Sequence, residues 1–171
     1  RICDALDITP DDILTDEICE YLEKEEPTFL FCQFDGVDSA GHIHGYQSPQ
    51  FMEEIRIRDE YIGRIYEICQ KRGFLEETLF IVTADHGGKK YMHGGLSDEE
   101  KYVMFTASGK TVAKGTIGEM EIRDIAAIVL FALGYEQPST WTARVPPGLF
   151  DGVTAKVRPI YDMPYDLPQR I

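Results

Sequence analysis

The sequence has little positive charge and no apolar run long enough to cross a membrane. Its 171 residues include 17 lysines and arginines against 30 aspartates and glutamates, which gives a net charge of −13 at pH 7. Such a balance disfavours binding to a nucleic-acid duplex through a basic surface. The longest apolar run, residues 125–133, is about half of what a membrane span needs. We therefore expect a soluble protein whose anionic ligands are attracted by something other than bulk charge, and bound divalent cations are the usual means.

Signals for secretion and for disulfide bonding are also lacking. The chain opens with Arg1, and residues 1–10 show no basic start followed by an apolar stretch, so no signal peptide is visible and the compartment stays unknown. The four cysteines show no C-x-x-C spacing, and Cys32 and Cys69 lie in apolar segments. These features favour free thiols in the core over disulfides or zinc ligands.

Apolar runs of strand length alternate with helical patterns along the chain. The predicted strands are Thr28–Phe34, Thr78–Ala84 and Tyr102–Ala107. The predicted helices are Thr15–Lys24, with Thr15 or Asp16 as its cap, a long helix that starts at Ser48 and ends at Gly73, and Glu121–Leu133 before Gly134. This order indicates an α/β fold, with part of an open, largely parallel sheet that has helices on both faces. Residues 1–150 form this domain, and the proline-rich residues 151–171 are predicted to be an extended tail.

Three clusters of histidine and carboxylate carry the chemistry. Asp38 precedes His42 by four residues, Asp85 and His86 directly follow the second predicted strand, and His93 precedes two glycines. An Asp or His beside glycine is more often a turn residue or a helix cap, but ligands gather at the carboxyl edge of such sheets, where these clusters fall. Imidazole nitrogen and carboxylate oxygen together suit zinc or a similar cation. His44 has no partner acid and is interpreted as a loop histidine.

These motifs resemble those of the alkaline phosphatase superfamily, particularly its nucleotide pyrophosphatase/phosphodiesterase branch. The segment from Asp38 to Gly45 is similar to D-x-x-G-H-x-x-G, and residues 83–88, T-A-D-H-G-G, are similar to T-A/S-D-H-G. His93 with its two glycines resembles the final metal-binding histidine of the family. The resemblance covers roughly residues 28–150.

The resemblance implies two zinc ions, with manganese as the other candidate metal. Asp38, His42 and His93 would hold one ion, while Asp85 and His86 would hold the second. In that family, two metal ions clamp the attacking and leaving oxygens of a phosphoryl transfer. The intact protein is then expected to be a phosphodiesterase or phosphatase that hydrolyses small phosphate esters.

The family's Ser or Thr nucleophile and a further metal-binding Asp lie well upstream of the D-x-x-G-H motif. Ser39 and Thr83 lie near the ligands but do not match the nucleophile's place, and the aspartates of the opening segment, Asp11 among them, are interpreted as solvated caps. We therefore expect the C-terminal portion of a larger α/β catalytic domain, nearly inactive alone. An apolar sheet edge would then favour a homodimer or association with the missing N-terminal portion.

Two other functions stay open at this point, and a third is disfavoured. A metal-dependent phosphosugar mutase uses related motifs but moves phosphate instead of releasing it. A noncatalytic fragment that binds one zinc ion, or none, would serve structure or interaction only. An arylsulfatase is disfavoured because that branch centres on a single calcium ion.

Overall fold

The computed structural model describes residues 9–152. The chain divides into two compact units, Arg1–Ala107 and Ser108–Ile171. The helices of the described residues are α1 (Asp11–Lys24), α2 (Gly36–His44), α3 (Pro49–Arg72), α4 (Asp98–Lys101) and α5 (Asp124–Ala132), with a 3₁₀ turn at Leu75–Glu77. Their strands are β1 (Phe80–Thr83) and β2 (Phe105–Ser108). Within residues 9–152, no helix has both the length and the apolar character that a membrane span requires.

Helix α1 begins four residues before the predicted start at Thr15, so the predicted cap is wrong. Thr15 is buried inside the helix, and its hydroxyl donates to the carbonyl oxygen of Asp11 at 2.6 Å. Asp11 and Asp12 occupy the first turn, where negative charge is favoured by the helix dipole. Asp11 and Asp12 therefore belong to the helix, which starts about one turn earlier than the sequence predicted.

Helix α3 confirms its sequence prediction at both ends. The Ser48 side chain accepts a hydrogen bond from the Phe51 backbone, and Pro49 opens the first turn. Gly73 ends the helix in the left-handed region at φ 80°, where glycine carries no steric cost.

Helices α1 and α3 pack together and bury the main core of the first unit. The buried members of this core are Ile18, Cys19, Leu22, Ile65, Cys69 and Phe74. Cys19, Cys32 and Cys69 are free, as predicted, and burial raises the pKa of each thiol. Cys3 lies outside the described residues.

The segment predicted as the first buried strand, Thr28–Phe34, is not a strand in the structure. Phe29 and Phe31 are 57% and 74% exposed, while Cys32 and Phe34 pack partly against the core of α1 and α3. A strand exists only when a neighbour supplies its hydrogen bonds. Within residues 9–152 no other segment pairs with this one, so the run has no regular secondary structure and is half uncovered.

The described sheet has two strands. β1 lies within the predicted strand at 78–84, and β2 starts three residues later and ends one residue later than the predicted strand at 102–107. Thr83 bonds to the carbonyl of Met104, and Thr106 contacts the carbonyl of Val82, so the two strands run antiparallel. The α/β class is therefore confirmed. The open, largely parallel sheet is not present in residues 9–152, because the only two strands described there pair with each other in opposite directions.

The second unit contains α5, which is shorter than predicted at both ends. Gly134 follows it at φ 78°, as expected for a glycine after a helix. The buried carboxylate of Asp124 accepts hydrogen bonds from the backbone of Glu121 and Arg144, at 3.0 and 2.9 Å. The predicted tail at 151–171 lies outside the described residues beyond Gly152.

Candidate metal centre

Helix α2 presents the first predicted ligand pair on one of its faces. Asp38 and His42 are one turn apart, with 3.4 Å between Asp38 Oδ2 and His42 Nε2. The other imidazole nitrogen of His42, Nδ1, lies 2.8 Å from the carbonyl oxygen of Tyr91. Both residues belong to a nine-residue helix, which the sequence analysis did not predict. His44, interpreted above as a loop residue, is its exposed last residue.

A buried carboxylate from another helix fixes the start of α2. Asp11 accepts the backbone N–H groups of Asp35 and Gly36 at 3.1 and 2.9 Å, and it pairs with Arg58 of α3. Asp11 is only 8% exposed. The interpretation of Asp11 as a solvated cap is therefore wrong, because its side chain satisfies two backbone donors that begin α2.

The second predicted ligand pair follows β1. His86 is half-buried, whereas the Asp85 side chain is 68% exposed and its Oδ1 accepts the backbone N–H of His86 at 3.1 Å. The distance from Asp85 Oδ2 to His86 Nε2 is 3.6 Å. Asp85 therefore lies at the solvent side of the cluster.

His93 lies close to both predicted ligand pairs, through Asp38 of the first and His86 of the second. Its Nε2 lies 3.7 Å from Asp38 Oδ1. Its ring stacks on that of His86 with centroids 3.8 Å apart, and the His42 ring centroid is 5.0 Å away. The three predicted clusters are therefore brought together at one place.

Ligand atoms of Asp38, His86 and His93 lie within 4.8 Å of one another. One carboxylate oxygen and two imidazole nitrogens are a donor set that suits zinc and other first-row divalent cations, so the residues fit such an ion. The side chains are 29–42% exposed, which leaves an opening to solvent. Asp38 and His93 come from the first predicted ligand set and His86 comes from the second. The division into two metal sites stays a prediction.

The loop that carries His93 is held by its own hydrogen bonds. The Glu100 carboxylate accepts the Gly95 N–H at 2.8 Å and the Ser97 hydroxyl at 2.7 Å. Hydrogen bonds from the Ser97 side chain and the Gly95 backbone lower the pKa of Glu100. The Gly87 N–H donates to the carbonyl oxygen of Glu100 at 2.9 Å, so the loop is tied to the turn after His86.

Tyr46 is a site residue that the sequence analysis missed. Its hydroxyl donates to Asp38 Oδ1, and its ring lies against Gly41 and Gly88. Burial, the hydrogen bond to Asp38 and the negative charges of Asp38 and Asp85 raise the pKa of Tyr46. The sequence features that could have indicated Tyr46 are Gly41 and Gly88, because residues without a side chain leave room for an aromatic ring.

Thr83 and Ser39 are the two hydroxyl residues close to the ligands, and they differ in their hydrogen bonding and exposure. Thr83 Oγ1 donates to the Met104 carbonyl at 2.9 Å, where it supports the pairing of β1 and β2. Ser39 is exposed on α2, one residue after Asp38. The expectation that the nucleophile lies upstream of this chain stays a prediction.

Comparison with known proteins supports the resemblance read from the motifs. The sequence profile described as type I phosphodiesterase / nucleotide pyrophosphatase matches residues 6–132. This match covers more than half of the chain and includes all five predicted metal ligands. No solved structure matches the chain significantly.

Several curated proteins are similar to the chain over most of its length. A 2,3-bisphosphoglycerate-independent phosphoglycerate mutase of Onchocerca volvulus is 32% identical over 77% of this chain, and that of Brugia malayi is 31% identical over 77%. The GPI ethanolamine phosphate transferase 1 of Gibberella zeae is 23% identical over 77% of the chain and 16% of its own length. The chain spans about a quarter of the mutases it matches, 26% in both cases.

Proposed function

Because the chain belongs to the type I phosphodiesterase / nucleotide pyrophosphatase family, we propose that it is the metal-binding portion of an enzyme that hydrolyses small phosphate esters. The observation that carries the proposal is the convergence of Asp38, His86 and His93 ligand atoms within 4.8 Å. The motifs that supply them are the ones through which the chain resembles the family. The metals proposed are two zinc ions, with manganese as the other candidate.

The chain's residues would hold the cations and leave the substrate side open. Asp38, His86 and His93 supply donors from three separate segments, and His42 lies beside Asp38 at 3.4 Å. A bound cation would supply positive charge that stabilises the phosphoryl group and its attacking and leaving oxygens. The positive charge of the cation matters here because the protein itself has a net charge of −13 at pH 7.

The assignment of Asp38, His42 and His93 to one ion and of Asp85 and His86 to a second follows the family resemblance. The exposure of Asp85 is consistent with a second site that needs further ligands. We propose that these ligands, the Ser or Thr nucleophile and the remaining strands of an open parallel sheet lie in the rest of a longer protein. The uncovered Phe29 and Phe31 mark a surface that such a piece could bury.

Metal binding by the 171-residue chain tests the site directly. Isothermal titration with zinc and with manganese should show binding that is strongly weakened in His93→Ala. His44→Ala is the matched control, because His44 is an exposed histidine at the end of α2 and is not part of the cluster. Equal binding by all three proteins would contradict the site.

A phosphomutase is the second candidate, favoured by the similarity to phosphoglycerate mutases at 31–32% identity. Such an enzyme moves phosphate within its substrate, whereas a hydrolase releases it. Incubating the intact metal-loaded protein with phosphoglycerate, and separately with an aryl phosphodiester, distinguishes the two when the products are followed by ³¹P NMR. Release of inorganic phosphate or an aryl monoester supports the hydrolase, and isomerised phosphoglycerate supports the mutase.

A further inference from the structure

We propose that Tyr46 is a positioning residue for Asp38: its ring is held in a slot between Gly41 and Gly88, and its hydroxyl holds the Asp38 carboxylate towards the histidine cluster. The inference rests on the proposed function, since Asp38 is a metal ligand only within it. It adds a residue that lies outside the ligand motifs themselves.

The slot for the Tyr46 ring explains two glycines that the backbone does not require. Gly41 and Gly88 are buried, and neither has a positive φ, so another residue could adopt their backbone conformations. A Cβ on Gly41 would lie 2.7 Å from the ring, and one on Gly88 would overlap it. Gly41 belongs to the first motif and Gly88 directly follows the second. Both make room for the same ring.

Tyr46 is also fixed by its backbone. Its N–H donates to the carbonyl oxygen of Lys90 at 2.6 Å, which ties it to the loop leading to His93. Phe51 packs against the ring with centroids 5.3 Å apart. With ring and backbone both held, the hydroxyl has a defined position from which it donates to Asp38 Oδ1.

The hydrogen bond acts on the orientation of the carboxylate. While Oδ1 accepts from Tyr46, Oδ2 faces His42 Nε2 at 3.4 Å, and Oδ1 still lies 3.7 Å from His93 Nε2. A carboxylate oxygen has two lone pairs, so it can accept a phenol and still offer a ligand atom. Residues that orient a metal ligand in this way typically change metal affinity by 10- to 100-fold.

The test compares three forms of the full 171-residue chain. Tyr46→Phe keeps the ring and removes the hydroxyl. Tyr66→Phe removes a hydroxyl from a ring that packs against Phe80, away from the cluster. Zinc affinity and the visible absorption of the cobalt(II)-loaded proteins are measured, together with the unfolding temperature of each metal-free protein.

We expect Tyr46→Phe to bind zinc 10- to 100-fold more weakly and to shift the cobalt(II) absorption bands. Tyr66→Phe should match the wild type in both measurements. A residue that served only packing would lower the metal-free unfolding temperature without changing the cobalt spectrum. Unchanged affinity and spectrum in Tyr46→Phe would overturn the inference while leaving the metal site intact, whereas a wild type that binds neither metal would overturn the site as well.

Gly41→Ala provides a second test that does not depend on how Tyr46→Phe folds. Alanine favours a helix more than glycine does, so α2 should persist, but the added methyl group would push the Tyr46 ring out of its slot. Zinc affinity should fall by a similar factor and the cobalt spectrum should change in the same direction. Wild-type affinity in this variant would contradict the slot.

Discussion

Arg58 and Asp11 form a buried ion pair in which Nε and Oδ2 are 2.6 Å apart, with side chains only 14% and 6% exposed. The pair joins α3 to the first residue of α1. The same Asp11 carboxylate accepts the backbone N–H groups of Asp35 and Gly36. One carboxylate therefore connects the packing of two core helices to the start of α2, the helix that carries Asp38.

Replacing Arg58 by Ala should destabilise the protein by about 3–5 kcal/mol, because Asp11 would keep a buried charge without its cation. Denaturant unfolding measures this change. Arg56→Ala is the matched control: Arg56 lies on the same helix and pairs with Glu53 and Glu60 in solvent, where ion pairs add little. If both substitutions changed the free energy of unfolding equally, the buried ion pair would contribute no more to stability than the exposed ones.

A methyl group at Gly88 should cost stability because it would overlap the Tyr46 ring. We expect Gly88→Ala to lower the free energy of unfolding by about 1–3 kcal/mol, the usual range for overpacking. Gly63→Ala, in the middle of α3 with open space around its Cβ, should instead raise it by up to about 1 kcal/mol. Thermal unfolding of both variants checks the opposite signs.

Asp124 should make the stability of the second unit depend on acid pH. Burial alone would raise the pKa of Asp124, but hydrogen bonds from the Glu121 and Arg144 backbones and the charges of Arg144 and Arg123 lower it overall. A lowered pKa in the folded state contributes stability above the ordinary value near 3.8, and this contribution is lost as the pH falls through the folded value.

The measurement for Asp124 is urea unfolding of wild type and Asp124→Asn between pH 7 and pH 2. At neutral pH the variant should be less stable by about 1.5–3 kcal/mol, as expected for a lost charge-assisted hydrogen bond. The difference should shrink as the pH falls below about 4. Glu119→Gln, at an exposed site of the same unit, should show no such pattern, and a pH-independent difference for Asp124→Asn would contradict the argument.

The isolated chain should be nearly inactive towards phosphodiesters even when it binds zinc. Loss of the expected nucleophile and of ligands for a second ion would remove parts of one catalytic unit, which costs on the order of 10⁴ to 10⁶ in rate. Turnover of a bis-aryl phosphodiester at pH 8 by the zinc-loaded chain is compared with turnover by a protein extended upstream through the expected Ser or Thr. Equal rates would show that residues 1–171 already contain the nucleophile.

The local patterns of the sequence predicted what depends on neighbouring residues along the chain. Ser48, Pro49 and Gly73 mark the ends of α3 because caps and breakers act over a single turn. The four-residue step from Asp38 to His42 equals about one helical turn, and the motif order identified the family.

Tertiary structure decided what depends on partners distant in sequence. Whether Thr28–Phe34 becomes a strand depends on a strand that pairs with it, and no strand in residues 9–152 does so. Asp11 looked like a surface acid because only the fold brings Arg58 and the start of α2 to it. The same holds within the metal centre. His86 stacks on His93, and Tyr46 lies between Gly41 and Gly88, only because the fold brings these segments together. Spacing along the chain does not determine such distances.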